Sequence, residues 1–162
     1  MEKLRKLMLG PPRLTLAAAE SMTCGRVQAG IGLIPGASEF FLGGITAYDI
    51  ESKVRHLGVD RAAAAAVNCV SAAVAEQMAR GACALFGADL AVATTGYAEP
   101  SVEWNAPQPF AWWAVAWRGP GDSCAVRSGR VDCPGASRAD AQERVAEAAL
   151  HALLARLEEM RR

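Results

Sequence analysis

The 162-residue sequence predicts one domain, residues 1–162, folded as a three-layer α/β/α sandwich on a mixed, mostly parallel sheet. Two observations point there. Short apolar runs of strand length alternate with longer segments of helical periodicity, the pattern of helices covering both faces of a sheet. One stretch breaks the alternation: the apolar runs Phe110–Arg118 and Ser123–Val131 meet at Pro120-Gly121 with no helix between them. A hairpin there supplies the antiparallel part. An apolar share of 52% against 21% charged fills such a core and argues against a disordered chain.

The elements follow in order. Met1–Gly10 is charged and amphipathic, with too short an apolar stretch for a secretory signal, and reads as a first helix. Leu14–Ala19 has the length of a buried strand or of a helical turn. Its place after Pro11-Pro12 and before the polar Glu20–Gly25 turn favours the strand. Gly25–Leu33 reads as a helix closed by Pro35-Gly36. Within Phe40–Tyr48 a second strand is expected after the Gly43-Gly44 pair. Glu51–Leu57 is a short helix stopped by Gly58, and Asp60 caps the alanine-rich run Arg61–Val67. Ser71 caps an amphipathic helix, Ala72–Phe86, with Val74, Met78, Ala82 and Leu85 on its apolar face. Asp89–Thr95 reads as a buried strand ending at Gly96, and a polar loop runs from Tyr97 to Pro109. Pro134-Gly135 ends the hairpin, and Ser137 opens a long last helix through Leu157.

Composition narrows the function classes. Lys plus Arg and Asp plus Glu are 17 each, so no basic excess exists to neutralise phosphates, and a nucleic-acid partner is not expected. No apolar run approaches the roughly 18 residues of a membrane span, so no membrane partner is expected. The five cysteines (Cys24, Cys69, Cys83, Cys124 and Cys133) are scattered with no C-x-x-C pair, and His56 and His151 are the two histidines. That pattern points to free thiols in a reducing, cytoplasmic compartment, with neither a metal site nor a cofactor.

Three stretches hold the residue types that do chemistry: Glu20–Gly25, Tyr48–Lys53 and Thr94–Pro100. Taken singly, each is also what an ordinary cap, junction or turn looks like. The helix after Ser21 offers backbone N–H groups that suit an oxyanion or a substrate phosphate, though not both at once. Cys24 at the same helix start is a second nucleophile to weigh, but it has no histidine nearby in sequence.

Together the stretches resemble the C-terminal domain of the CinA (competence/damage-inducible) family. Its pattern T-A-E-S-C-T-G-G reads here Ala18-Ala-Glu-Ser-Met-Thr-Cys-Gly25. Its V-P-G-A-S-x-x-F-x-G-G reads Ile34-Pro-Gly-Ala-Ser-Glu-Phe-Phe-Leu-Gly-Gly44. Its a-Y-S-N-x-x-K-x-x-x-L-G-V reads Ala47-Tyr-Asp-Ile-Glu-Ser-Lys53 followed by Leu57-Gly-Val59. Cys69-Val-Ser71 and Met78-Ala-Arg-Gly-Ala82 continue the match, which runs from about residue 4 to about residue 160.

The resemblance implies an amidohydrolase that deamidates nicotinamide mononucleotide to nicotinate mononucleotide and ammonia. It implies Ser21 as nucleophile assisted by Lys53 and Tyr48, and a homo-oligomer of at least two copies. Thr23, Gly25, Thr95 and Gly96 are the candidate substrate contacts. Arg138, which aligns with an arginine of the family's G-D-R segment, is a candidate partner for an anion. The chemistry is coherent: a serine hydroxyl needs a base within hydrogen-bond reach. A lysine base must shed its proton near pH 7, which from about 10.4 takes roughly 4 kcal/mol of burial or neighbouring charge.

Departures from the pattern cluster. The family's T-G-I-A-G-P is Thr95-Gly-Tyr-Ala-Glu-Pro100, which brings in Tyr97 and Glu99, and its K-P-V-G-T-V is Gln108-Pro-Phe-Ala-Trp-Trp113. A carboxylate gained and a cation lost weaken a phosphate site if they line it. A different amide, or a non-catalytic ligand-binding module, are therefore the alternative readings.

Overall fold

The computed structural model describes residues 2–121 and 123–162, and its strands alternate in which side they offer to which core. The elements are α1 (Glu2–Leu9), β1 (Leu16–Glu20), α2 (Arg26–Gly32), a 3-10 turn (Ala37–Glu39), β2 (Phe41–Thr46), α3 (Ile50–Leu57) and α4 (Arg61–Ala65). Then come α5 (Ala72–Phe86), β3 (Leu90–Tyr97), β4 (Phe110–Arg118), β5 (Cys124–Asp132) and α6 (Arg138–Met160). The strand order is β2-β1-β3-β4-β5. β1 pairs in parallel with β2 and β3, and β4 pairs antiparallel with β3 and β5. Four strands thus point one way and β4 alone is reversed, in the mixed three-layer sandwich expected.

Side-chain alternation sorts the layers. Ala17 and Ala19 of β1, Ala91 and Ala93 of β3, and Ala114 and Ala116 of β4 pack beneath α5 with Val74, Met78 and Ala82. Leu16 and Ala18, Leu90 and Val92, and Val115 turn to the opposite core, against α1, α2 and α6. The alanines let α5 lie close on the sheet. The closest approach is between helices: a Cβ at Gly81 of α5 would run into the backbone carbonyl of Leu57, the last residue of α3.

Caps behave as the sequence indicates. The side chain of Asp60 accepts from the Ala63 N–H, and the Ser71 hydroxyl accepts from the Val74 N–H at 3.2 Å. Two expectations need correction. β2 runs through Gly43-Gly44 rather than starting after them. Gly43 sits at φ +137° with an ideal Cβ 3.1 Å from the Phe86 ring, and a Cβ on Gly44 would fall 2.6 Å from the Gln28 side chain. The pair is squeezed on both faces of the strand, which is why it lies inside it. Leu85 is 48% exposed, because the inward row of α5 steps by four from Met78 through Ala82 to Phe86. Among the described residues, no helix is long and apolar enough to cross a membrane.

Candidate functional site

β1, β2, β3 and β5 all end at the same edge of the sheet, and the residues following each one meet there. This is the carboxyl end of the parallel strands, where α/β sheets bind ligands. A cavity of about 690 Å³ opens at that edge. Ser21 follows β1, Tyr48 follows β2, Thr95-Gly96-Tyr97 ends β3 with Glu99 just beyond, and Arg138 starts α6 after β5. All line the cavity, as does Lys53 from α3.

Ser21 and Lys53, 32 positions apart, are brought into contact by the parallel pairing of β1 with β2. The Ser21 N–H donates to the Thr94 carbonyl at 3.0 Å, which ties the residue to β3. The Asp49 side chain caps α3 by accepting from the Ser52 N–H at 3.1 Å, and Lys53 sits one turn into that helix. Hydrogen bonds from Ser52 hold the Asp49 carboxyl below its usual value. Lys53 Nζ lies 3.0 Å from Ser21 Oγ, 2.8 Å from the Ala47 carbonyl and 2.8 Å from the Tyr48 carbonyl. Lys53 is 1% exposed and Ser21 7%. Burial pushes the lysine below its ordinary value, while negative charge on Cys69, when it is ionised, and on the Asp49 carboxylate pulls the other way. The amine donates to both carbonyls and to Ser21 Oγ; were it neutral, the two carbonyls would take its two hydrogens and the lone pair would be left for the Ser21 hydroxyl.

Glu20, the last residue of β1, is fully buried and organises the turn. Its carboxylate accepts from the backbone N–H groups of Gly25 (2.9 Å), Val27 (3.1 Å) and Gln28 (2.8 Å), from the Gln28 side chain and from the Thr23 hydroxyl. The N-terminus of α2 is therefore filled by the chain's own anion. The N–H groups of that helix are not free for an oxyanion or a phosphate. Among the described residues, the N–H groups of Met22 and Thr23 meet no acceptor and are the donors left beside Ser21.

The remaining sequence-selected residues divide. Thr23 is fully buried, with its hydroxyl held by Glu20 and Thr94, and Gly25 (φ +95°) supplies the left-handed step into α2. Neither lines the cavity; both shape the turn that carries Ser21. Thr95 and Gly96 do line it. The Thr95 hydroxyl donates to the Cys69 carbonyl at 2.7 Å, and Gly96 leaves room for Ala111 and the Phe110 carbonyl of β4. The Tyr48 phenol is 2.9 Å from Arg138 Nη2, and Arg138 Nη1 is 2.9 Å from Glu99 Oε1. Tyr48 thus meets Lys53 through its carbonyl, while its phenol is held by Arg138. Of the departures from the family pattern, Tyr97 and Glu99 line the cavity and Gln108 and Trp112 do not; Trp112 packs on the α5 core.

The sequence reading missed Glu20 as an anchor and the Asn68-Cys69 loop as a wall. A buried run closed by a carboxylate, one short turn ahead of a helix start, is the available signal for Glu20. For the loop, the signal is an asparagine just past an alanine helix, where it adopts a left-handed φ of 48°. Cys69 lines the cavity and burial pushes its thiol up, while Cys24 lies outside the cavity. Among the described residues, no group of three or more His, Cys, Asp or Glu is placed to hold a metal ion.

Comparison with known proteins matches the chain to one family. The CinA C-terminal domain profile matches residues 1–157. A CinA-like protein of Chlorobium limicola is 38% identical over 94% of this chain and 36% of its own length. One of Chlorobaculum tepidum is 40% identical over 91% of this chain and 35% of its own length. The chain spans about a third of the length of these curated relatives. The crystal structure of the competence damage-inducible protein A (ComA) of Klebsiella pneumoniae superposes with a TM-score of 0.87 at 27% identity, covering 97% of this chain and 94% of that one. That of the competence/damage inducible protein CihA of Agrobacterium tumefaciens gives 0.83 at 28%, with the same coverage. With the profile spanning nearly all of its length and the fold shared along it, the chain belongs to the CinA C-terminal domain family.

Proposed function

We propose that this chain is an amidohydrolase that cleaves a carboxamide through a Ser21 acyl-enzyme. The observation that carries the reading is the buried Lys53 amine, 3.0 Å from Ser21 Oγ and fixed by two carbonyls. A lysine kept from solvent and aimed at a hydroxyl suits a base, and among the described residues no histidine lines the cavity. In the reaction, Ser21 Oγ attacks the amide carbon as its proton passes to Lys53 Nζ. The tetrahedral oxyanion forms beside the N–H group of Met22, which lines the cavity next to Ser21. Protonated Lys53 then gives the proton to the departing nitrogen, the C–N bond breaks, and ammonia leaves. Water, deprotonated by the same amine, hydrolyses the ester and restores Ser21.

The family resemblance makes nicotinamide mononucleotide, with nicotinate mononucleotide as product, the first amide to try. Tyr48 contributes by holding Arg138 at the cavity mouth and by lending its carbonyl to Lys53. The test is ammonia release from a panel of carboxamides, nicotinamide mononucleotide included, by wild type beside Ser21→Ala. Release abolished by the substitution supports the reading. Release that survives it, or no release from any amide, leaves a ligand-binding module as the better account.

A further inference from the structure

The cavity is short of free positive charge. Asp49, Glu99 and Glu103 line it, against Lys53 and Arg138. Lys53 is the base of the proposed reaction and must be neutral to act. Arg138 is engaged at both ends, Nη1 with Glu99 and Nη2 with the Tyr48 phenol. The other anion-binding device at this edge, the N-terminus of α2, is occupied by Glu20. A phosphate monoester entering here therefore meets three carboxylates and one guanidinium that already has its carboxylate. Besides Tyr48, whose phenol is held by Arg138, the aromatic side chains of Tyr97 and Trp104 line the same cavity and favour a flat or cationic ring.

We propose that the substrate is a flat carboxamide, neutral or cationic, that carries no phosphate, and that Glu99 sets this preference by occupying Arg138. The inference rests on the amidohydrolase reading for the word substrate, but the selectivity belongs to the cavity and is read without turnover. The Glu99–Arg138 pair has side chains 66% and 48% exposed, so it contributes little to stability and can be altered in a folded protein.

The probes are a matched pair, nicotinamide mononucleotide and the same nucleoside without its phosphate. Their dissociation constants are measured by calorimetry on the wild type, on Ser21→Ala to exclude turnover, and on Glu99→Gln. The expected result is at least about tenfold tighter binding of the phosphate-free member by wild type and by Ser21→Ala. Glu99→Gln, which frees Arg138 at constant size, is expected to shift the ratio about tenfold toward the phosphorylated member. Equal or tighter binding of the phosphorylated member by wild type overturns the proposal. So does a ratio unmoved by Glu99→Gln, or no binding of either compound. A binding preference as expected with no ammonia released from any carboxamide of the panel sinks the amidohydrolase reading and leaves the selectivity standing.

Discussion

Replacing Lys53 with methionine keeps the buried length of the side chain and removes the amine, so it separates the base from the packing. General-base assistance contributes about 10²–10⁴-fold, and ammonia release is expected to fall at least about a hundredfold. The stability effect has a definite sign. Burial lowers the Lys53 pKa in the folded chain from 10.5. Between the folded value and 10.5, the unfolded chain holds a proton that the folded chain has lost. Wild-type stability therefore rises with pH across that window, at most by about 1.4 kcal/mol per pH unit for one proton. Below the folded value both states are protonated and the burial penalty is present in full. The methionine variant lacks this slope. It also leaves the Ala47 and Tyr48 carbonyls without their donor, at about 1–3 kcal/mol each. The assay is urea unfolding of both proteins from about pH 6 to about pH 10, with the difference taken at each pH so that groups common to both cancel. The variant should lose ground to wild type as pH rises. A difference that stays flat, or a variant that releases ammonia near the wild-type rate, refutes the reasoning.

Three further substitutions probe the surroundings. Glu20→Ala strips the acceptor from the Gly25, Val27 and Gln28 N–H groups, and the urea midpoint should report a loss of at least about 3 kcal/mol; an unchanged midpoint would mean that water replaces the carboxylate. Gly81→Ala forces α3 away from α5 at Leu57, one turn after Lys53, and should destabilise by about 1–3 kcal/mol while lowering ammonia release; full stability together with full activity would show that the helices separate freely. Tyr48→Phe removes the bond to Arg138 and keeps the carbonyl that holds Lys53, so kcat/KM should change by no more than about tenfold, chiefly in KM; a loss as deep as that of Ser21→Ala would put the phenol in the proton path.

The parts of the fold legible in the sequence are those governed by local chemistry. Asp60 and Ser71 announce helix starts because a side-chain oxygen beside free N–H groups works at short range. The Pro120-Gly121 turn likewise announces the hairpin. What escaped is decided by distant neighbours. Gly43 and Gly44 look like a strand boundary until Phe86 and Gln28, far off in sequence, are found pressing on either face. Thr23 and Gly25 look like substrate contacts because they flank Ser21, yet Glu20 and Thr94 claim the Thr23 hydroxyl from below. The Ser21–Lys53 contact depends on the β1–β2 pairing, which no spacing within either motif encodes; only the resemblance to the family pattern links the two residues. Glu99 stood out as a departure, but its partner Arg138 is known only once β5 delivers α6 to the same edge.

The central claim is that Ser21 forms the covalent intermediate. It is tested most directly by quenching the enzyme with acid during turnover of an amide that it hydrolyses and mapping the adduct by peptide mass spectrometry. The account predicts an acyl ester on the peptide containing Ser21, absent from Ser21→Ala, which also releases no ammonia. Continued turnover by Ser21→Ala, or an adduct on Cys69 instead, contradicts it.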